Sequence, residues 1–171
     1  YLGALPTSST WVTNASHVGK YWRTSDGFLE ADVTISLTGA PTAASLILNT
    51  PLNLSIDQDR QSTSGSSAIV GGGIVLDSGS TLYRLAAKYE SATSIRLMVA
   101  PDTGSGFIRD MVNSIDNTVP MTFANADAIT VRYRVPIVGW SGSTVMSSAA
   151  SLPVIAAKYS LTSNETTAAN A

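Results

Sequence analysis

The residues able to do chemistry are few and scattered. His17 is the single histidine, and the chain has no cysteine. A catalytic triad needs an imidazole beside a nucleophile and an orienting acid. His17 stands among Asn14, Ser16 and Lys20, and no nucleophile-elbow motif occurs anywhere. One imidazole and no thiolate leave too few ligands for a zinc or copper site. Asp57-Gln58-Asp59 resembles the opening of a calcium loop. The glycine and distal glutamate of a helix–loop–helix calcium site are missing, so the segment reads as a solvated loop. Asp102, Asp110 and Asp116 are spread out, and nothing selects a pair for glycoside hydrolysis. Val70-Gly-Gly-Gly-Ile74 lacks the lysine and the helix of a phosphate loop. Glycines inside an apolar run mark a bulge or a close approach by another backbone. No catalytic residue, metal or cofactor is assigned on these grounds, and the chain is read as a non-enzyme.

The aromatics carry the stronger signal. Trp11, Tyr21, Trp22 and Trp140 are the candidate ligand-binding residues. A sugar packs the apolar C–H side of its ring on an aromatic face, while Asn, Asp and Arg bond its hydroxyls. Tyr83, Tyr89 and Tyr133 share the parity of apolar neighbours and read as core. Trp22 and Trp140 fall at strand ends, where a ring can line a ligand or subunit surface.

Composition narrows the partners. Charged residues make up 13% of 171, with a formal net charge of −2, and the ten Lys and Arg are dispersed. Phosphate backbones need clustered cations, so nucleic acid is not an expected partner. No apolar run reaches 18 residues, so no membrane insertion is expected. The start at Tyr1, without Met or a signal-like segment, is expected for a fragment or a processed chain. The surface must be built largely from Ser, Thr, Asn, Gly and Ala.

The elements that must hold these residues are strands. Ile129, Val131, Tyr133, Val135 and Ile137 share one parity, with Thr130, Arg132 and Arg134 on the other. Leu29 to Leu37 alternates with Glu30 to Ser36 in the same way. Segments 19–24 and 28–38 around Asp26-Gly27 predict a hairpin. Further strands are expected at 44–49, 69–76, 82–90, 95–100 and 154–161, with loops at 57–67 and 101–106. Residues 107–118 fit either a strand with a turn or one helical turn. No segment sustains helical apolar spacing. The expectation is an all-β antiparallel sandwich or jelly roll of eight or nine strands. Residues 1–10 would lead in, 11–161 form the domain, and 162–171 form a polar linker or tail.

Two blocks resemble a known family. The first runs from Gly19 through Lys20-Tyr21-Trp22-Arg23 and Ser25-Asp26-Gly27 to Leu37-Thr38-Gly39-Ala40-Pro41-Thr42-Ala43. The second runs from Met121-Thr-Phe-Ala-Asn-Ala-Asp127 to Val135-Pro-Ile-Val-Gly-Trp-Ser141. Both are similar to a β-rich module of tailed-bacteriophage virion proteins: fibres, appendages or head decorations. Ala156 to Thr162 looks like the connector that leads, in some relatives, into a complement-type jelly roll. The chain departs from the family pattern at Asn125-Ala126-Asp127 and Ser25-Asp26-Gly27, where relatives often carry Gly-Asp. The resemblance implies a virion localisation and other virion subunits as partners, with a homotrimer and a host-surface glycan as further expectations. It carries no catalytic residues. A purely structural spacer or capsid-binding domain, and a carbohydrate-binding module of a secreted bacterial protein, are the alternative readings. A glycan depolymerase would rest on the scattered carboxylates alone.

Overall fold

The computed structural model describes Trp11 and residues 14–41, 45–61, 68–79, 81–99 and 113–140. Eight strands form there: β1 Ala15–Arg23, β2 Phe28–Leu37, β3 Ile47–Asn49, β4 Ile69–Asp77, β5 Thr81–Ser91, β6 Ser94–Val99, β7 Asn113–Ser114 and β8 Ala128–Pro136. All pair antiparallel in one sheet, in the order β1-β2-β8-β4-β5-β6-β3, with β7 also on β6. The only helix among the described residues is two single 3-10 turns, Pro51–Asn53 and Gln58–Arg60. The all-β antiparallel class expected from the alternation is therefore the one observed. The open question at 107–118 is answered for its described part: β7 and an Asp116–Val119 bridge are extended, not helical. The lead-in 1–10, residues 100–112, the expected strand 154–161 and the tail lie outside the described residues.

The alternating strands behave as their period requires. On β2, Leu29, Ala31, Val33, Ile35 and Leu37 are buried; on β8, Ile129, Val131, Tyr133 and Val135 are. Register places Leu29 opposite Val135, Ala31 opposite Tyr133, Val33 opposite Val131 and Ile35 opposite Ile129. Each buried aliphatic chain contributes about 1.5–3 kcal/mol relative to exposure, so a one-residue slip that reversed the faces would lose all of it. The hairpin closes through residues 24–27. Thr24 N–H donates to the Phe28 carbonyl at 2.8 Å, and Gly27, at φ 79°, donates to the Thr24 carbonyl at 3.1 Å. Glycine takes that left-handed conformation without steric cost.

The glycines of β4 fold the sheet. A Cβ on Gly73 would lie 1.9 Å from the Thr130 carbonyl oxygen and 2.8 Å from the Val131 Cα. On Gly71 it would lie 2.1 Å from the Arg132 oxygen and 2.6 Å from the Tyr133 Cα. Opposed side chains on a regular sheet stand upright, about 4.5–5.5 Å apart at Cβ. Here the β8 backbone occupies the space where β4 side chains would stand, which requires a sharp fold at this pair. A register shift between Ile69 and Gly71 adds a bulge at the same place, and bulges bend and twist a strand. Both readings of the glycine run, bulge and close approach, are found.

The fold gives the sheet's two halves a common interior. Residues of β2 and β8 share one hydrophobic cluster with Leu85, Ala87 and Tyr89 of β5, Ile95, Leu97 and Val99 of β6, and Leu48 of β3. The architecture is sandwich-like although the strands are continuous. Asp127 fixes the entry to β8: its buried carboxylate accepts from the Ser78 N–H at 2.8 Å and the Ala124 N–H at 2.7 Å. Ala126 beside it is left-handed, at φ 73°.

Candidate functional site

The outer face of β1-β2-β8 presents the polar and aromatic side chains that the inner face cannot hold. Register aligns Lys20 with Asp32 and Arg132, and Trp22 with Glu30 and Arg134. Arg132 reaches Glu30 at 3.0 Å and Asp32 at 3.6 Å, and its guanidinium lies 5.4 Å from the centre of the Trp22 ring. Arg134 pairs with Asp26 and lies 3.4 Å from Glu30. The Glu30 hydrogen bond, then Asp32, hold the Arg132 guanidinium above its usual value. The Thr24 hydroxyl, donating at 2.5 Å, then Arg134, hold the Asp26 carboxyl below its usual value. Ion pairs as exposed as these are screened by solvent and add little to stability. They orient side chains more than they stabilise the fold.

The four candidate aromatics do not meet on one surface. Trp11 is fully buried and packs edge-on to Phe123, with ring centres 5.2 Å apart. It is a core residue with no face free for a ligand, which corrects its place among the candidates. Its neighbours on the chain gave no alternation from which that burial could be read. Tyr21 is half-buried and opposes Ala31, so it leans on the core side. Trp22, one residue on, points the other way and is 37% exposed. Trp140 is half-buried at the rim. A turn from Ile137, with Gly139 at φ 77°, brings its N–H to the Ile137 carbonyl at 3.0 Å. Arg23 covers it at 5.3 Å from the ring centre and donates to its carbonyl at 3.4 Å. Only Trp22 belongs to the outer array.

A second cluster was invisible in the sequence. The segment after β3 crosses to the end of β8: Ile56 bridges Ile137, Asp57 N–H donates to the Pro136 carbonyl at 2.9 Å, and Val138 N–H to the Ser55 carbonyl at 2.9 Å. This delivers the Gln58–Arg60 turn to the hairpin loop. Arg60 donates to the carbonyls of Asp26 at 2.8 Å and Gly27 at 3.4 Å. Its guanidinium lies 5.1 Å from the centre of the Phe28 ring, and that of Arg134 lies 3.8 Å from it. A cavity of about 330 Å³ opens there, lined by Phe28, Arg60, Gln61, Arg134, Pro136 and residues 68–70. Nothing in the spacing of Phe28, Arg60 and Arg134 signals their meeting; the crossing segment alone produces it.

The remaining candidates stay apart. His17 is half-buried on β1 opposite Ile35, and burial lowers its pKa. Asp57 precedes the Gln58–Arg60 turn, and Asp59 lies within it. Among the described residues no three His, Cys, Asp or Glu side chains gather as a metal site would require. Tyr133 is buried with no partner for its hydroxyl, and desolvation raises its pKa. Towards β4 and β5 the outer face turns apolar. Leu76 opposes Leu82, and Ile74 and Val18 occupy the adjacent row across Thr130 and Thr34; all four are more than 40% exposed. No helix of the described residues is long and apolar enough to cross a membrane.

Set against known proteins, the chain matches no family model, no curated protein and no solved structure.

Proposed function

We propose that the chain is a non-enzymatic module of a tailed-bacteriophage virion, from a fibre, an appendage or a capsid decoration. In this reading it contributes to attachment to host-surface glycans. The observation that carries the glycan part is the outer array: an exposed Trp22 indole, flanked by Arg132, Glu30 and Asp32 on paired strands. An aromatic face with donors and acceptors beside it, mounted on a rigid sheet, suits the apolar and hydroxyl sides of a sugar. The virion part is supported by the two family-like blocks. The first spans the second half of β1, the hairpin loop and β2, and the second spans β8 and its exit turn. Glycan-array binding and adsorption to host cells test the reading. Trp22→Ala should abolish array binding and reduce adsorption, and a null array with undiminished adsorption would sink it.

The apolar stretch of Val18, Ile74, Leu76 and Leu82 favours a second reading, a spacer whose outer face packs against other virion subunits, in a homotrimer. Exposed apolar surface of this kind is often a contact surface. Light scattering at micromolar concentration should then give three times the chain mass, and Leu82→Glu should return it to one. A monomer at every concentration rejects that assembly.

A further inference from the structure

The cavity between the hairpin loop and the Gln58–Arg60 turn has the makings of a site for an anionic ligand. Two guanidiniums converge there on the Phe28 ring. Their electrostatics differ. Arg134 is matched by Asp26 and Glu30. Arg60 makes no ion pair with any described residue; its bonds go to two backbone carbonyls. A guanidinium has five N–H donors in a planar fork, so Arg60 retains donors beyond its two carbonyl bonds and has no carboxylate partner among the described residues. Phe28 and the Asp26 and Gly27 carbonyls hold it in place, and a preorganised fork loses less freedom on binding a carboxylate.

Gln61 lines the same cavity with its chain, while its amide nitrogen and oxygen are buried away from the opening, with no hydrogen-bond partner among the described residues. Ala68, Ile69, Val70, Phe28 and Pro136 supply an apolar wall. The volume of about 330 Å³ falls at the small end of ligand pockets, which run from about 300 Å³ upward. It suits one ring and not a long chain.

A carboxylate and an apolar ring face occur together in an acidic sugar. We propose that this cavity binds a carboxylated monosaccharide unit, with Arg60 on the carboxylate and the apolar wall of Phe28 and Pro136 against the ring face. The inference rests on the attachment reading, which it narrows to acidic glycans; the cavity does not include Trp22, and Arg134 borders both it and the outer array.

Titration of the ¹⁵N-labelled chain with glucuronate, against glucose and acetate, tests it by NMR. Glucuronate should shift the amides of Phe28, Gln61, Ala68, Ile69 and Val70 saturably in the millimolar range, with glucose and acetate at least tenfold weaker. Arg60→Gln should lower glucuronate affinity at least tenfold, and Arg60→Lys by less. Glucose binding as tightly as glucuronate, shifts mapping elsewhere, or full affinity in Arg60→Gln would each overturn the proposal. Should Arg60→Gln fail to fold, the shift map of the unaltered chain and Arg60→Lys still decide. Array binding to neutral glycans lost in Trp22→Ala, with no glucuronate binding, rejects this inference and leaves attachment standing. Glucuronate binding through Arg60 with a null array and undiminished host adsorption does the reverse.

Discussion

The inner and outer faces of β8 use the same nine residues of backbone in opposite ways. Inward, Ile129, Val131, Tyr133 and Val135 are buried against β2 and the folded-over half of the sheet. Outward, Thr130, Arg132 and Arg134 are exposed, and the two arginines partner carboxylates and aromatic rings. Packing density constrains the inner set, because a lost methylene leaves a cavity. Solvent screens the outer set, so its members can change with little effect on the fold. The difference teaches where stability resides. One strand carries a packed row and a solvated row, and parity keeps them apart.

The sharpest way to break the contrast is on β4, where adjacent glycines face opposite ways. Gly73→Val should destabilise by about 3 kcal/mol or more, or prevent folding, because its side chain would have to occupy the backbone of β8. Gly72→Ala, whose Cβ meets nothing nearer than the Leu85 carbonyl at 3.3 Å, should cost about 1 kcal/mol or less. Urea unfolding of both variants measures the gap, and equal losses would refute the sharp fold. A smaller gap is expected on β8 itself. Val131→Ala should cost about 1–3 kcal/mol and its exposed neighbour Arg132→Ala far less; on the proposed attachment reading, Arg132→Ala should nevertheless weaken glycan-array binding. Tyr133→Phe should raise stability by about 1 kcal/mol, since it removes a buried hydroxyl with no partner; a loss would mean that the hydroxyl is satisfied.

The smallest effect is electrostatic. Asp26 titrates below its usual value in the folded chain. Its folded pKa lies under the unfolded one, so the stability it contributes is present above the ordinary carboxylate range. That contribution is lost as pH falls through the lower, folded value. Asp26→Asn should flatten the acid limb of the stability curve slightly, and 1 M salt should shrink the difference. An identical acid limb in both chains would show that the outer array does not contribute.

Much of the inner face was legible beforehand. The alternations at 29–37 and 129–137 mark β2 and β8 and their buried sides, and Asp26-Gly27 marks the turn between β1 and β2. Period-2 burial is a local property, and so is a glycine's freedom to take φ 79°. The outer site was half legible. Arg132 and Arg134 could be placed outward by parity, whereas Trp22 could be placed only at a strand end. Their partners could not be named, because ion pairs and ring contacts depend on which strand lies alongside. Trp11 was misread as a candidate because it precedes β1 with no alternation to assign its side.

The sequence by itself determined the class of structure, the parity of its long strands and the position of its first hairpin. Each depends only on the spacing of neighbouring residues. Tertiary structure alone decided that β8 lies between β2 and β4, that Gly71 and Gly73 let the sheet fold onto itself, and that the segment 50–61 crosses to lay Arg60 on Phe28. These are contacts between residues far apart in the chain. They are selected by the burial of a whole core, which no local pattern of residues encodes.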